Sequence, residues 1–148
     1  MRHVSILLLL AALGGCATLA SAPPAPWTEA ADAVRAANVE PARPIPGTFL
    51  MTVQAIGGEN GQIFLNSERD YRNQNCLTVV LAPGVAEPLA QQLGVDVPGL
   101  LHRRLSVRGQ AQRVRIQFHT AQGAVSGKYY YQTHLQVDDP NQIAFASP

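Results

Sequence analysis

Alternating apolar and polar residues predict the first strands of a folded domain that begins near Thr48. Phe49, Met51 and Val53 occupy odd positions between mostly polar neighbours, which is the period-two pattern of a half-buried strand over residues 48–55. The Asn60-Gly61 pair that follows is a favoured hairpin turn. It predicts a second, short strand over residues 62–66.

A third strand and one helix come next along the chain. Residues 77–81 (LTVVL) form a continuous apolar run that suits a buried strand, and Pro83-Gly84 ends it. Leu89 and Leu93 are spaced as on one face of a helix, which predicts a short helix over residues 87–93 that ends at Gly94.

The last two strands are long, and the first of them changes phase. Leu105 and Val107 are apolar at odd positions whereas Val114 is apolar at an even one, which predicts a β-bulge or a bend after Gly109. Residues 129–137 alternate as a final strand, and a turn closes it. The pattern predicts an all-β domain, a small five-stranded barrel with one short helix between strands three and four.

Three segments sharpen that fold prediction. Residues 64–72 (FLNSERDYR), 77–81 (LTVVL) and 101–109 (LHRRLSVRG) resemble, as a pattern, the nuclease-like OB domains of bacterial envelope and secreted proteins. The resemblance covers residues 48–143. It implies an OB-like barrel with the helix plugging one end, and the barrel domain is placed at residues 48–148.

The start of the chain has the pattern of a secretory signal. A short cationic head precedes an apolar run from Val4 to Leu13, which is too short to span a bilayer. Leu13-Gly14-Gly15-Cys16 resembles the lipobox of bacterial lipoproteins, which implies removal of residues 1–15 and acylation of Cys16. The alternative is an ordinary secreted protein cleaved after residues 20–22 (ASA).

Lipidation would anchor the chain to a membrane without spanning it. Residue 17 is Ala, and the aspartate that marks inner-membrane retention in Gram-negative lipoproteins is absent. The resemblance therefore implies the outer membrane, facing the periplasm. Residues 16–47 are rich in Pro and Ala and are predicted to be a tether, within which residues 27–39 could form a short helix.

Charge and cysteine content narrow the possible functions. Because Arg2 leaves with the signal, the remaining chain carries ten Lys and Arg against ten Asp and Glu. This balance argues against a protein dominated by long-range attraction to nucleic acid or acidic lipid. Cys76 is then the only unmodified thiol, and its apolar setting predicts a buried, inert side chain.

The sequence lacks the residue clusters that catalysis requires. Asp138 and Asp139 are adjacent and predict a turn rather than a metal site, and no pair among His102, His119 and His134 has zinc-ligand spacing. No Gly-x-Ser-x-Gly motif or glycine-rich phosphate loop is present. We therefore expect a non-enzymatic protein that needs no cofactor and no metal.

Arginine density marks the fourth strand as a candidate binding face. The candidate ligand-binding residues on and beside it are Arg104, Arg108, Arg113, Arg115, Tyr130 and His134. Arginines interleaved with aromatic rings suit single-stranded nucleic acid, whereas the alternative is a solvated, ion-paired strand face. The loop residues Asp70, Tyr71 and Arg72 similarly suit either a turn or a ligand-facing loop.

Two functional hypotheses follow from these features. The first is an envelope lipoprotein whose OB-like domain binds a protein or an oligosaccharide partner. The second is a single-stranded nucleic-acid-binding module at the cell envelope. The sequence favours the first because the chain is neutral overall and the periplasm contains little nucleic acid.

Overall fold

The computed structural model describes residues 27–146 of the 148-residue chain. The predicted signal peptide, Cys16 and the first part of the predicted tether lie outside the described residues. Within them, the chain forms eight strands, two α-helices and two short 3₁₀ helices.

The strands are long in the second half of the chain and short in the first. They are β1 (Thr28–Glu29), β2 (Ile45–Thr52), β3 (Ala55–Glu59), β4 (Gln62–Asn66), β5 (Leu77–Leu81), β6 (Arg104–His119), β7 (Val125–Val137) and β8 (Ile143–Phe145). The α-helices are α1 (Ala30–Ala37) and α2 (Ala86–Leu93), and the 3₁₀ helices cover Pro98–Leu100 and Pro140–Gln142.

All eight strands belong to one mixed sheet. Their order is β1-β2-β6-β7-β5-β4-β3, with β8 paired to β6 beside this path. β1 runs parallel to β2 and β5 runs parallel to β7, whereas the remaining pairs are antiparallel. The prediction of a mostly β domain is therefore confirmed.

The predicted five-stranded barrel differs from this open sheet of eight strands. The predicted first strand is divided, because after Val53 the chain leaves β6 and turns toward β4. The Val53 amide donates to the Arg103 carbonyl at 3.0 Å, whereas the next amide, that of Gln54, donates to the Asn66 carbonyl at 2.8 Å. β2 and β3 therefore pair with different neighbours, which raises the strand count.

Several local predictions are confirmed. β3 and β4 form a hairpin in which Asn60 and Gly61 have φ of 52° and 80°, the left-handed values that a two-residue turn of this kind requires. β4 and β5 have the predicted bounds, and all five residues of β5 are buried. α2 begins one residue earlier than predicted and ends at Gly94.

Of the two predicted alternatives after Gly109, the bulge is wrong, whereas the bend within one long strand stays a prediction. β6 pairs with β2 in unbroken register from Arg104 to Ala111, and the irregularity in β6 lies between Gln117 and His119. Gly109 faces the packed side of the sheet. A Cβ at this position would lie 3.0 Å from the side chain of Leu135. β6 pairs with β2 up to Ala111 and with β7 from Ala111 onward. The apolar residues therefore move from the odd to the even positions of β6 where its partner changes.

The core lies between the sheet and the two helices. Its largest fully buried side chains include Phe49, Leu65, Leu77, Leu81, Leu89, Leu100, Leu105 and Leu135. Helix α1, which falls within the predicted tether, packs Ala33 and Val34 into this core, and its Ala37 is buried as well. The Asn38 side chain that follows α1 donates 3.0 Å to the Thr133 hydroxyl of β7.

Among residues 27–146, no helix has both the length and the apolar character needed to cross a bilayer.

Candidate functional site

A groove of about 490 Å³ lies on the face of the sheet formed by the even-numbered residues of β7. Tyr130, Gln132 and His134 line it from β7, and Ile116 lines it from β6. β3, β4, β5 and the loop before β5 provide the other lining residues. The volume falls in the range of small-molecule sites, about 300–1,000 Å³.

Most side chains that line the groove are either aromatic or apolar, or polar and uncharged. Phe64, Tyr71, Ile116 and Tyr130 form the first group, and Asn66, Thr78, Gln132 and His134 form the second. Gly57, Gly58 and Glu59 of β3 complete the lining, and Glu59 is the one carboxylate among these lining residues. No lysine or arginine belongs to the lining.

A chain of hydrogen bonds fixes the polar side of the groove. The Gln132 amide nitrogen donates to the Tyr71 carbonyl at 3.0 Å and to the Tyr130 hydroxyl at 3.2 Å. The Gln132 oxygen lies 2.7 Å from His134 Nε2. Because that oxygen can only accept, His134 carries its proton on Nε2, and its Nδ1 remains an acceptor.

Burial keeps His134 uncharged. Desolvation disfavours the imidazolium form and lowers the pKa of His134 from 6.5 to about 4. At neutral pH the groove therefore presents a neutral imidazole, amides, hydroxyls and rings. Burial also raises the pKa of the Tyr130 hydroxyl, which stays protonated as a possible donor.

The Asp70-Tyr71-Arg72 segment forms a turn, and its tyrosine borders the groove. Asp70 stabilises a turn, since its carboxylate accepts the Arg72 amide at 2.9 Å. Tyr71 lines the groove, and the Arg72 guanidinium lies 5.3 Å from the centre of its ring. Hydrogen bonding to the Tyr71 hydroxyl raises the pKa of Arg72. The segment thus positions an aromatic ring at the edge of the groove.

The floor of the groove is a buried polar contact. The Thr78 hydroxyl donates to the Asn66 side-chain oxygen at 2.8 Å, and both residues are buried. The Cys76 thiol is also buried, 3.7 Å from the Thr78 hydroxyl. The predicted burial of this thiol is confirmed.

The structure divides the predicted candidate ligand-binding residues into separate places. Tyr130 and His134 lie in the groove, whereas Arg113 and Arg115 stack on Tyr131 and Tyr129, at odd-numbered positions of the same two strands. Arg104 pairs with Glu29 and Arg108 is exposed, both in the half of β6 that pairs with β2. The predicted cluster of these six residues therefore does not form one site.

Sequence reasoning missed most of the groove. Gln132 alternates in phase with Tyr130 and His134, and this period could have identified it. Phe64, Asn66 and Thr78 could not have been found in this way, because their approach depends on the parallel pairing of β5 with β7.

The part of the chain that the structure describes contains no group of three or more His, Cys, Asp or Glu side chains placed to hold a metal. Asp139 instead caps the 3₁₀ helix Pro140–Gln142 through the Asn141 amide. The arrangement in the groove is one of fixed donors, acceptors and rings, which suits recognition of an uncharged polar ligand.

Comparison with known proteins gives no family assignment. No protein-family model matches the chain, and no curated protein matches it in sequence. A putative aspartyl-tRNA synthetase from Leishmania major Friedlin is similar in structure at 10% sequence identity and a TM-score of 0.40. The match covers 91% of this chain but only 22% of that protein.

The lowered pKa of His134 predicts a pH-dependent stability. Between pH 6.5 and about 4 the unfolded chain binds a proton that folded His134 excludes, so stability falls as the pH falls through this window. The loss reaches about 3 kcal/mol near pH 4. Urea unfolding at pH 7 and pH 4.5 should show a smaller pH-dependent loss for His134→Gln than for the parent chain. His119→Gln, at an exposed position, is the control and should behave as the parent.

Proposed function

We propose that this chain is a non-enzymatic, lipid-anchored envelope protein whose domain binds an uncharged oligosaccharide in the groove on β7. The support for this proposal is the chemistry of the side chains that line the groove. The lining combines rings with amides, hydroxyls and a neutral imidazole, and it contains no lysine or arginine. Sugars offer apolar ring faces and many hydroxyls, which this combination can stack against and hydrogen-bond.

We also propose that the domain is a variant of the OB architecture. The support is the pairing pattern: β3, β4 and β5 form a meander, β5 runs parallel to β7, and β7 and β2 flank β6. If β2 and β3 are counted as two halves of one bent strand, five strands pair in a cycle with α2 between the third and fourth. OB domains bind oligosaccharides and oligonucleotides on their second and third strands, which correspond here to β4 and β5.

An oligosaccharide is favoured over a nucleic acid as the ligand of this groove. Phosphodiesters require cationic partners, and the arginines of β6 lie outside the lining. Glu59 at the rim would further repel a phosphate. The alternative ligand is another envelope protein. A polar, uncharged loop of such a partner would contact the same side chains.

The proposed location is the periplasmic face of the outer membrane. It follows from the lipobox resemblance at Cys16 and from Ala17. Acyl chains would hold the domain at the bilayer, and the segment before Trp27 would separate the two.

Glycan binding is expected to depend on Gln132 and on the ring of Tyr130. An array of uncharged and anionic glycans should identify an uncharged ligand for the Cys16→Ser chain. By calorimetry, Gln132→Ala should weaken that binding about tenfold, because it removes the acceptor of His134 and the donor to Tyr130. Tyr130→Phe should retain more affinity than Tyr130→Ala.

Gln136→Ala is the matched control, since Gln136 is on the same strand but does not line the groove. Its affinity should equal that of the parent. The proposal is contradicted if the chain binds no glycan on the array, or if Gln132→Ala and Gln136→Ala lose the same glycan affinity.

The anchor is tested separately in cells. Cys16→Ser should move the protein from the membrane fraction to the soluble fraction of the envelope, and it should abolish incorporation of labelled fatty acid at residue 16. If the variant stays in the membrane fraction, Cys16 is not the anchor.

A further inference from the structure

The positive charge of the chain is concentrated in one hairpin. Between residues 97 and 137, which include β6 and β7, there are six Lys and Arg and no Asp or Glu. The other described residues carry four arginines and all ten carboxylates of the chain. Overall neutrality therefore conceals a strongly cationic β6–β7 hairpin, whose field favours polyanions locally.

Two of these arginines stack on two tyrosines at the end of the hairpin that extends beyond the core. The Arg113 guanidinium carbon lies 4.6 Å from the ring centre of Tyr131, and that of Arg115 lies 5.3 Å from the ring centre of Tyr129. The two tyrosine rings meet edge to face at 5.6 Å. We call these four residues the Arg–Tyr ladder.

The Arg–Tyr ladder is accessible on the face opposite the groove. Tyr129 and Tyr131 are 52% and 43% exposed, and Arg115 is exposed as well. Arg113 is half-buried and pairs with Glu40 at 2.5 Å. No salt bridge to Arg115 forms among residues 27–146. The ladder thus offers exposed rings and at least one uncompensated guanidinium.

We propose that the Arg–Tyr ladder is a second binding site, specific for single-stranded nucleic acid. Successive residues on one side of a strand are about 6.6 Å apart, so the ladder repeats a cation and a ring along a line. A single strand repeats a phosphate and an unpaired base in the same way, and guanidinium pairs with phosphate while tyrosine stacks on bases. A duplex hides its base faces and fits the ladder less well.

The position of the ladder argues against a lipid surface as its occupant. Under the proposed anchoring at Cys16, the tether joins the domain at Trp27, which lines a second depression together with Arg104. Arg104 and Arg115 are eleven residues apart on β6, which is about 36 Å along a strand. The ladder therefore lies far from the point at which the anchor enters.

Fluorescence anisotropy with a labelled oligothymidylate tests this site in the full chain carrying Cys16→Ser. We expect binding at low salt that weakens with added salt, with a logarithmic slope of about −0.7 for each phosphate contacted. Arg115→Ala should weaken binding and reduce the magnitude of that slope by about 0.7, whereas Arg115→Lys should retain the slope. Tyr129→Ala should weaken binding at least about fivefold without changing the slope.

Arg108→Ala is the control for general charge, because Arg108 is an exposed arginine of β6 outside the ladder. Its effect should be smaller than that of Arg115→Ala. Three results would each overturn the proposal: no binding at low salt, equal losses for the two arginine variants, or binding to anionic phospholipid vesicles without binding to the oligonucleotide. Glycan binding in the groove is independent of all three, so the two sites fail separately.

Discussion

Strand β6 changes its pairing partner at Ala111, and the arrangement of both faces of the β6–β7 hairpin follows from that change. Up to Ala111 this strand pairs with β2, and its odd-numbered residues Leu105 and Val107 are buried in the core. Beyond Ala111 it pairs with β7, and its odd-numbered residues lie past the end of the core. The same side that packs against α1 therefore carries Arg113 and Arg115 farther along. Because a strand alternates strictly, the even side of this hairpin must face the groove.

The two sides of the β6–β7 hairpin offer different chemistry to solvent. The groove side is deep enough to desolvate His134, and a hydrogen-bond chain through Gln132 holds its donors and acceptors in place. The opposite side stacks its guanidinium groups on exposed rings, and Arg115 is exposed there as well. Burial disfavours charge on one side, and exposure leaves charge available on the other. The two proposed sites follow from this contrast.

Sequence periodicity predicted the local elements well and their assembly less well. β4, β5, α2 and the Asn60-Gly61 turn follow from nearest-neighbour rules, because alternation and turn residues act over a few positions. The division of the first strand at Val53 and the docking of α1 depend on distant partners, to which a local pattern is insensitive. The predicted ligand-binding residues lie in separate places because their faces also depend on how distant strands pair. Tyr130 and His134 share a face, whereas Arg113 and Arg115 have the opposite parity.

Amide NMR of the isotope-labelled chain tests whether the β6–β7 hairpin presents two independent binding faces. The chain would be titrated first with the glycan selected on the array and then, in the same sample, with an oligothymidylate. We predict that the glycan shifts the amides of Asn66, Thr78, Gln132 and His134. The oligothymidylate should then shift those of Arg115 and Tyr129 without displacing the glycan. Competition between the two ligands, or one shared set of shifted amides, would contradict the two-face description.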